Sequence, residues 1–418
     1  MNGNHKRISG LSGNEIFFLE RMGYRPGQLC VGNSVVALGV ARGIGAGLST
    51  LGGGEIEEVT RLVHDGRTRA YDRMMNEAKT YGGVGLTGVS FDLVNHGGNL
   101  EFITIGSTIH RKEAATEAGA DDEVRFSTSA DVAKLFCQVD AGFRPIRFVF
   151  GNVAYSIGVG GTITGGFRSL ARGEVPQYTE IFDHTRRLAL SRITNEAKSL
   201  GANAVVGIET TITPLLGAQE MMMVGTASHH PLIGDPPLTP VSSDMTNEEL
   251  WNMANVGFLP VRLVMGVSVY SLGLKGGIFS ALQTLGGGEV SGLTEILYEA
   301  REKALARIEK DAELCGADEV VGVKTNIYDL GGGLIEFMAI GTAVKRIEGA
   351  KTKTAALPPQ AVIQDRETFV DVTDPRTAIV NAGKGSAASA GKMQRGPLSI
   401  IIFILILVFY LFRILTHR

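Results

Sequence analysis

The chain has 418 residues, which is more than one ordinary domain and suggests two to four. Hydrophobic residues make up 44% and charged residues 20%, a composition typical of globular proteins rather than disordered ones. The net charge of −3 gives no electrostatic reason to expect nucleic acid as a partner. These values exclude a small single domain, a disordered chain and a strongly basic nucleic-acid-binding protein.

The cysteines and the first residues bear on the compartment. Cys30, Cys137 and Cys315 are odd in number and far apart, which argues against a disulfide framework and fits a reducing compartment. The opening residues, M-N-G-N-H-K-R-I-S-G, contain no apolar core of a secretory signal and no glycine after Met1 for myristoylation. We therefore expect the body of the protein to lie in the cytoplasm.

The sequence repeats itself. A Gly-Glu pair recurs after 119 and then 115 residues, at Glu55, Glu174 and Glu289. Aligning the chain on this pair brings further positions into register: Gly32/Gly151/Gly266, Thr60/Thr179/Thr294, Arg67/Arg186/Arg301, Arg73/Arg192/Arg307, Glu77/Glu196/Asp311, Gly82/Gly201/Gly316, Gly88/Gly207/Gly322 and Glu101/Glu220/Glu336. So many matches in one register indicate three homologous domains. We call them copies 1, 2 and 3, at residues 12–109, 129–228 and 246–346.

The elements of one copy are clearest in copy 3. Thr246 and Glu249 form a capping box that predicts a short helix, and the strand V-R-L-V-M-G-V-S-V-Y-S follows it. After a glycine-rich connection, a helix of about twenty residues begins near Thr294 and ends near Gly316, which stands at a C-cap position. Its apolar stripe consists of Ile296, Leu297, Ala300, Ala304, Leu305, Ile308 and Ala312.

Two strands joined by D-L-G-G-G close the copy. Strands joined by such a short turn are expected to pair antiparallel and to carry the helix on one face. The predicted fold class is therefore α+β, with three tandem two-layer β-α-β-β domains, each preceded by a short helix.

The segments outside the copies differ in composition. Residues 110–128 and 229–245 read as linkers, and residues 347–397 as a flexible tether rich in Ala, Gly, Lys, Thr and Pro. Residues 398–415 form an apolar run of 18 residues whose one charge is Arg413. This length is at the short limit for a bilayer, and apolarity on all sides favours a transmembrane helix over a buried core helix. We expect a single-pass tail anchor in the cell membrane, with an orientation that its nearly balanced basic flanks do not decide.

Four runs in copy 3 resemble a known family. G-V-S-V-Y-S-L-G, A-R-E-K-A-L-A-R, G-A-D-E-V-V-G-V and I-G-T-A-V are similar to the YbjQ family of small bacterial domains, whose label refers to heavy-metal binding. The resemblance is close over residues 266–344, good over 151–227 and looser over 32–109. It implies a dodecin-like unit and assembly into a homo-oligomer, as pentameric rings. The linkers and the tail anchor depart from the family's single-domain pattern.

Metal and cofactor sites are not predicted. Soft metals require clustered cysteine and histidine ligands, yet Cys30 aligns with Val149 and Val264, and no C-x-x-C or H-x-x-x-H occurs. The run R-G-I-G-A-G in copy 1 resembles a dinucleotide fingerprint, but copies 2 and 3 do not keep its spacing. We interpret these glycines as turn positions or points of close approach.

The recurring charges are interpreted as structural. Arg73 and Glu77, Arg192 and Glu196, and Arg307 and Asp311 are i,i+4 pairs on the long helix. The other recurring charges at which we predict salt bridges, within or between subunits, are Glu55, Glu174, Glu289, Arg67, Arg186 and Arg301. General acid-base catalysis is the alternative, but no histidine or serine nucleophile recurs beside these carboxylates. We therefore predict that the protein is not an enzyme.

These features together predict a membrane-anchored, non-catalytic scaffold or docking platform. Ring assembly would stack three rings and bring the anchors together, where they could associate as a pore. A cytoplasmic protein is the expected partner. The alternative function is a metal- or small-ligand-binding module that acts at subunit interfaces.

Overall fold

One order of elements occurs three times: a short helix, a long strand, a long helix and two long strands. In copies 1 and 2 a two-residue strand also precedes the long helix. The computed structural model describes residues 8–37, 54–96, 98–112, 124–156, 172–216, 218–234, 239–272, 291–331 and 334–361. The glycine-rich stretches, most of the predicted tether and the predicted membrane helix at 398–415 lie outside these residues.

The elements have the following bounds. The described helices are α1 (Gly13–Met22), α2 (Glu57–Thr80), α3 (Val132–Asp140), α4 (Pro176–Ser199), α5 (Asn247–Asn255) and α6 (Ser291–Leu314). The described strands are β1 (Tyr24–Ala37), β2 (Gly54–Glu55), β3 (Gly85–Asn95), β4 (Asn99–Arg111), β5 (Phe126–Ser127), β6 (Arg144–Ser156), β7 (Gly173–Glu174), β8 (Ala204–Leu215), β9 (Ala218–His229), β10 (Val241–Ser242), β11 (Phe258–Ser271), β12 (Glu319–Gly331) and β13 (Leu334–Arg346). Short 3₁₀ turns lie at Pro231–Ile233 and Pro359–Ala361.

In each copy the three long strands pair antiparallel, and the last of them lies between the other two. The strand orders are β1-β4-β3-β5, β10-β8-β9-β6-β2 and β12-β13-β11-β7. The predicted antiparallel pairing of β12 with β13 and the α+β class are confirmed. The linker interpretation was incomplete, because β5 and β10 pair in parallel with β3 and β8 and cover strand edges that would otherwise be unpaired.

The long helices α2, α4 and α6 have 24 residues each. In α6 the predicted apolar stripe faces the sheet, with Ile296, Ala300, Ala304 and Ile308 buried. Gly316 follows α6 with φ of 66°, the left-handed conformation expected at its position. Amphipathic spacing therefore predicted both the helix and its buried face.

Glycines at one recurring position let each helix lie close to its sheet. A Cβ atom added to Gly266 would lie 1.9 Å from the carbonyl oxygen of Ala304, and one added to Gly151 would lie 2.4 Å from that of Ala189. No side chain fits at such distances, so glycine is required where the first strand crosses the long helix.

The short helices pack in a row, α1 against α3 and α3 against α5. The predicted capping box of α5 is confirmed, with reciprocal hydrogen bonds between Thr246 and Glu249. Trp251 in α5 donates its indole N–H to Asp140 at the end of α3, with an N–O distance of 2.6 Å. Successive copies are thus joined through their short helices as well as through their sheets.

Among the described residues, none of the helices combines the length and the apolarity needed to cross a membrane. The predicted anchor at 398–415 was outside that search.

Candidate functional site: the contact between successive copies

Each copy extends a two-residue strand onto the sheet of the next copy. β2 of copy 1 pairs antiparallel with β6 of copy 2, where Glu55 lies opposite Tyr155. β7 of copy 2 pairs in the same way with β11 of copy 3, where Glu174 lies opposite Tyr270. The same strand addition therefore joins copy 1 to copy 2 and copy 2 to copy 3.

A threonine in the first turn of each long helix strengthens this contact. The backbone N–H of Ala154 donates to Thr60 Oγ1, and the N–H of Val269 donates to Thr179 Oγ1, both at 2.9 Å. The carbonyls of these two strand residues each accept a backbone N–H from the residue that precedes the helix, at 2.8 Å in both cases. Ala154 and Val269 are equivalent positions in successive copies, so the hydrogen-bond pattern is repeated in detail.

A buried ion pair lies at the centre of the contact between copies 1 and 2. Arg67 of α2 makes a bidentate pair with Glu220 of β9, in which Nη2 donates to Oε2 at 2.8 Å. Both side chains are almost completely buried. The Arg67 guanidinium also lies 5.9 Å from the ring centroids of Phe91 and Phe102, which are its neighbours in copy 1. Copy 2 thus supplies the countercharge for a cation that copy 1 holds among aromatic rings.

The second contact repeats this arrangement. Arg186 of α4 donates from Nη2 to Glu336 Oε2 at 2.8 Å, and both side chains have no exposed surface. Its guanidinium lies 4.4 Å from the ring centroid of Tyr155 and 5.4 Å from that of Phe182. Burial alone would lower the pKa of Arg186, but the Glu336 carboxylate raises the pKa above its ordinary value. Burial also raises the pKa of Tyr155 to about 12, so the ring stays neutral beside this pair.

A second ion pair lies nearer the edge of each contact. Arg192 lies 2.7 Å from Glu55, and Arg307 lies 2.7 Å from Glu174, which also binds Lys303 at 2.8 Å. Burial raises the pKa of the Glu174 carboxyl, but the hydrogen bonds from Lys303 and Arg307 outweigh it, and the net pKa is lowered. Each contact therefore combines one buried and one partly exposed Arg–Glu pair.

The i,i+4 pairing predicted on the long helices was wrong. Arg192 binds Glu55 of the preceding copy instead of Glu196, and Arg307 binds Glu174 instead of Asp311. The physical reason is that the short strand of the preceding copy brings a carboxylate to the side of the helix that faces the contact.

The acidic partners on the helices have other roles. Glu77 accepts the backbone N–H of Val31 at 2.7 Å, and Glu196 accepts that of Phe150 at 2.9 Å. Burial raises the pKa of Glu196. These carboxylates hold the helix to the first strand of its own copy.

Four other predicted residues remain to be placed: Arg73, Arg301, Asp311 and Glu289. Arg73 donates to the carbonyl of Asn33 and has no carboxylate partner among the described residues. Arg301 is exposed and pairs with its neighbour Glu302 at 2.9 Å. Asp311 pairs with Arg187 of copy 2 at 2.8 Å. Glu289 lies outside the described residues.

Two residues central to the contact were not among the predicted site residues. Glu220 and Glu336 recur in register with Glu101, and that recurrence was the available signal. Their importance was missed because they lie 153 and 150 residues from the arginines that they bind.

The cysteines lie apart from one another and are not arranged as ligands. Cys30 and Cys137 are buried, and burial raises the pKa of each thiol to about 12. Over the part of the chain that the structure describes, no group of three or more His, Cys, Asp and Glu side chains could hold a metal ion. The geometry here gives no support to a soft-metal centre.

A groove of about 420 Å³ lies between α4 and α6, beside the contact of copies 2 and 3. Its polar lining includes Glu174, Asp183, Arg187, Arg307 and Asp311. These charges are already paired with one another: Arg187 binds both Asp183 and Asp311, and Arg307 binds Glu174. The groove is therefore lined by groups that hold the two copies together.

Comparison with known proteins identifies the repeated unit. The YbjQ family, described as "Putative heavy-metal-binding", matches the chain three times, at residues 24–110, 143–230 and 259–347. Each matched segment contains one long helix and the three long strands around it.

Individual relatives match one or more copies. A protein of Mycobacterium tuberculosis named "Encapsulin nanocompartment protein" is 30% identical over 249 residues, which are 57% of this chain and 93% of that protein. A "UPF0145 protein" of Thermotoga maritima is 46% identical over 83 residues, 20% of this chain and 78% of that protein. A "UPF0145 protein" of Thermoplasma acidophilum is 34% identical over 99 residues, 22% of this chain and 83% of that protein.

Proposed function

The chain belongs to the YbjQ family through three successive domains, and from this premise we propose that it is a non-catalytic oligomeric scaffold. Its copies associate by one repeated contact, and its C-terminal segment holds the assembly at a membrane. We also propose that each copy has the dodecin-like fold that the family resemblance implies.

The observation that carries this proposal is the repetition of one contact between different copies. The pairs Arg67–Glu220 and Arg186–Glu336 occupy equivalent positions and are both buried. Two charges buried together cost desolvation, which is recovered when the geometry is bidentate and fully hydrogen-bonded. Because the same buried Arg–Glu contact occurs twice, it is suited to the association of similar domains. Such an association requires no catalytic nucleophile or base.

The name of one relative supports an assembly role. The name of the Mycobacterium tuberculosis relative describes a protein of a nanocompartment, and it is similar to more than half of this chain. A nanocompartment protein and a scaffold would both be expected to assemble from many similar domains.

The membrane part of the proposal rests on the sequence. Residues 398–415 are apolar on all sides, and we propose that they anchor the assembly in the cell membrane with the three copies in the cytoplasm. Anchors brought together in this way would concentrate the copies at the bilayer, where they could dock a cytoplasmic protein or associate as a pore.

Successive copies of one chain make the same contact with each other, so we propose that they are neighbours in one array. The stacked five-membered rings expected from the family resemblance would instead place them in separate rings. If successive copies are neighbours in one ring, that ring cannot have five positions, because each chain contributes three copies and five is not a multiple of three.

The mass of the detergent-solubilised full chain tests the proposal. Light scattering coupled to size-exclusion chromatography should show a discrete or extended assembly of several chains, and membrane fractionation should recover it with the membranes. A single chain at micromolar concentration would contradict the scaffold.

A ligand-binding function at the contact between copies is the second candidate, and the groove beside Glu174 favours it. It predicts that a small molecule or metal co-purifies with the chain and is lost in the Glu174→Gln variant. Mass spectrometry of the released material, together with elemental analysis, checks this. Equal yields from wild type and E174Q would contradict it.

A further inference from the structure

We propose that the exposed face of copy 3 in one chain docks on the exposed face of copy 1 in a second chain, with Arg301 paired to Glu101. This inference rests on the proposed oligomeric function and names the surfaces that would produce it. We call the copy 3 surface around Tyr298, Arg301 and Val323 the head face. We call the copy 1 surface that includes Val31, Val35, Arg73 and Glu101 the tail face.

Arg301 is the third member of a series whose other two members are buried in contacts. The side chains of Arg67 and Arg186 are 4% and 0% exposed, whereas that of Arg301 is 46% exposed. Its guanidinium lies 4.7 Å from the ring centroid of Tyr298, as the other two lie over aromatic rings of their own copies. Copy 3, the last of the three copies, therefore presents the same cation against an aromatic ring of its own copy. There the guanidinium pairs with its exposed neighbour Glu302 at 2.9 Å instead of with a carboxylate of another copy.

Glu101 is the matching acceptor at the other end. Its equivalents Glu220 and Glu336 bind an arginine of the preceding copy, and Glu101 belongs to the first of the three copies. Asn33 donates its amide to Glu101 Oε1 at 3.3 Å, as Asn152 donates to Glu220 Oε1 at 3.1 Å. The same amide thus orients the carboxylate in copy 1 and in the occupied site of copy 2. Glu101 Oε2 also lies 2.7 Å from Nε2 of the exposed His96, a contact that Arg301 of a second chain would displace.

The backbone of β1 is also open where its equivalents are covered. Val35 is 58% exposed, whereas the equivalent residues Ala154 and Val269 are 0% exposed. Those two residues exchange backbone hydrogen bonds with the preceding copy, through a helix threonine and the residue before the helix. An exposed strand edge of this kind is suited to the addition of a strand from another chain.

The apolar side chains around these groups show the same difference. Val31 of the tail face and Val323 of the head face are both exposed. Phe150, the equivalent of Val31, packs edge-on against Phe91 of the preceding copy at a centroid distance of 4.9 Å. Val89, the equivalent of Val323 in copy 1, is buried. Each end face therefore exposes an apolar side chain at a position that is buried in the equivalent internal site.

Arg73 adds a second charge to the tail face. It donates to the carbonyl of Asn33, as Arg192 donates to Asn152 and Arg307 donates to Val267. The latter two arginines also bind a carboxylate of the preceding copy, and Arg73 is placed to do the same with a second chain.

A second copy of this chain is the occupant that these features select. Each face carries the charge that binds the other face's charge in the two internal contacts, and at the ends these charges are held only by the exposed side chains of Glu302 and His96. Because the head and tail faces differ, the contact is heterologous and can continue from chain to chain, closing into a ring or extending. Any closed ring then contains a multiple of three copies.

Charge reversal at one end at a time tests this pairing. In detergent, we expect the full-length variants R301E and E101R each to have the mass of one chain, since like charges would then meet at the junction. Mixing the two should raise the mass to at least two chains, because the mixture contains an unaltered Arg301 and an unaltered Glu101. Both positions are at least partly exposed, and far-ultraviolet circular dichroism should confirm that the variants remain folded.

The control is K198E, an equal charge reversal at an exposed position in copy 2, away from both end faces. It should assemble as the wild type does. If R301E and E101R keep the wild-type mass, or if their mixture stays at one chain, the head-to-tail pairing is overturned while the scaffold stands. A wild type that is itself a single chain contradicts the scaffold as well.

Discussion

Arg186 of copy 2 and Glu336 of copy 3 form an ion pair with no exposed surface, although 150 residues separate them in the chain. Removing one member of a buried pair leaves the other charge buried without a countercharge. The free-energy cost of that unpaired charge exceeds the net stabilisation that the intact pair provides. The pair therefore makes the arrangement of the two copies specific, because a displaced copy would leave a guanidinium buried beside aromatic rings.

The first prediction concerns this pair. E336Q should lower the free energy of unfolding by about 3–5 kcal/mol, the usual cost of leaving a buried charge unpaired. Trp251 is the single tryptophan of the chain and lies between the short helices of copies 2 and 3. Its fluorescence during urea titration measures the change.

E209Q is the control, since Glu209 is an exposed carboxylate in β8 of copy 2 and belongs to neither end face. It should change the Trp251 transition by less than about 0.5 kcal/mol, as surface substitutions do. Equal losses of stability in E209Q and E336Q would contradict the claim that the Arg186–Glu336 pair is specifically stabilising.

The second prediction tests the close approach of strand and helix. G266A should destabilise copy 3 by about 1–3 kcal/mol or more, because the added methyl group would overlap the Ala304 carbonyl and displace the helix. G13A, at a position with nothing within 4 Å, should be neutral or slightly stabilising. Thermal unfolding followed by circular dichroism compares the two. A tolerated G266A would show that the helix does not rest on the strand there.

The third prediction concerns acid. The folded-state pKa of Glu174 lies below its ordinary value of 4.5 because Lys303 and Arg307 donate to the carboxylate. For a lowered acid pKa, the stabilisation is complete above the unfolded-state pKa and is lost as pH falls through the folded-state pKa. Wild-type stability should therefore decline more steeply than that of E174Q below about pH 4.5, and should be the greater of the two at pH 7. Urea titrations at a series of pH values measure both, and parallel pH curves would contradict the prediction.

The fourth prediction concerns the thiols. Cys30 and Cys137 should resist alkylation at pH 8 in the folded protein, because both are buried and the pKa of each is raised to about 12. Cys315 is only partly buried and should react first. Peptide mass spectrometry after timed alkylation gives the order. Rapid labelling of Cys30 would show that this thiol is accessible and would contradict its burial.

Much of the fold could be predicted because its signals are local. The capping box at Thr246, the apolar stripe of α6 and the glycine after it all depend on residues within a few turns of one another. The strands β2 and β7 could not be predicted, since two residues are too short for any periodic pattern. They pair with the next copy, so their existence depends on where that copy lies.

The residues of the site could be predicted only in part. Recurrence singled out Arg67, Arg186 and Arg301, but the partners were chosen by proximity in the sequence. Helix geometry makes an i,i+4 pair possible without making it the best one available. The packing of one copy on the next decides which carboxylate binds which guanidinium. The recurrence of Glu220 and Glu336 shows that these positions matter, but it does not show which arginine each of them binds.

The structure of the detergent-solubilised assembly, determined by electron cryomicroscopy, tests the central claim most directly. Each junction between chains should repeat the internal contact, with the Arg301 guanidinium within ion-pairing distance of Glu101 of the next chain. Any closed ring should contain a multiple of three copies. Chains that meet through other surfaces, with Arg301 and Glu101 both facing solvent, would contradict it.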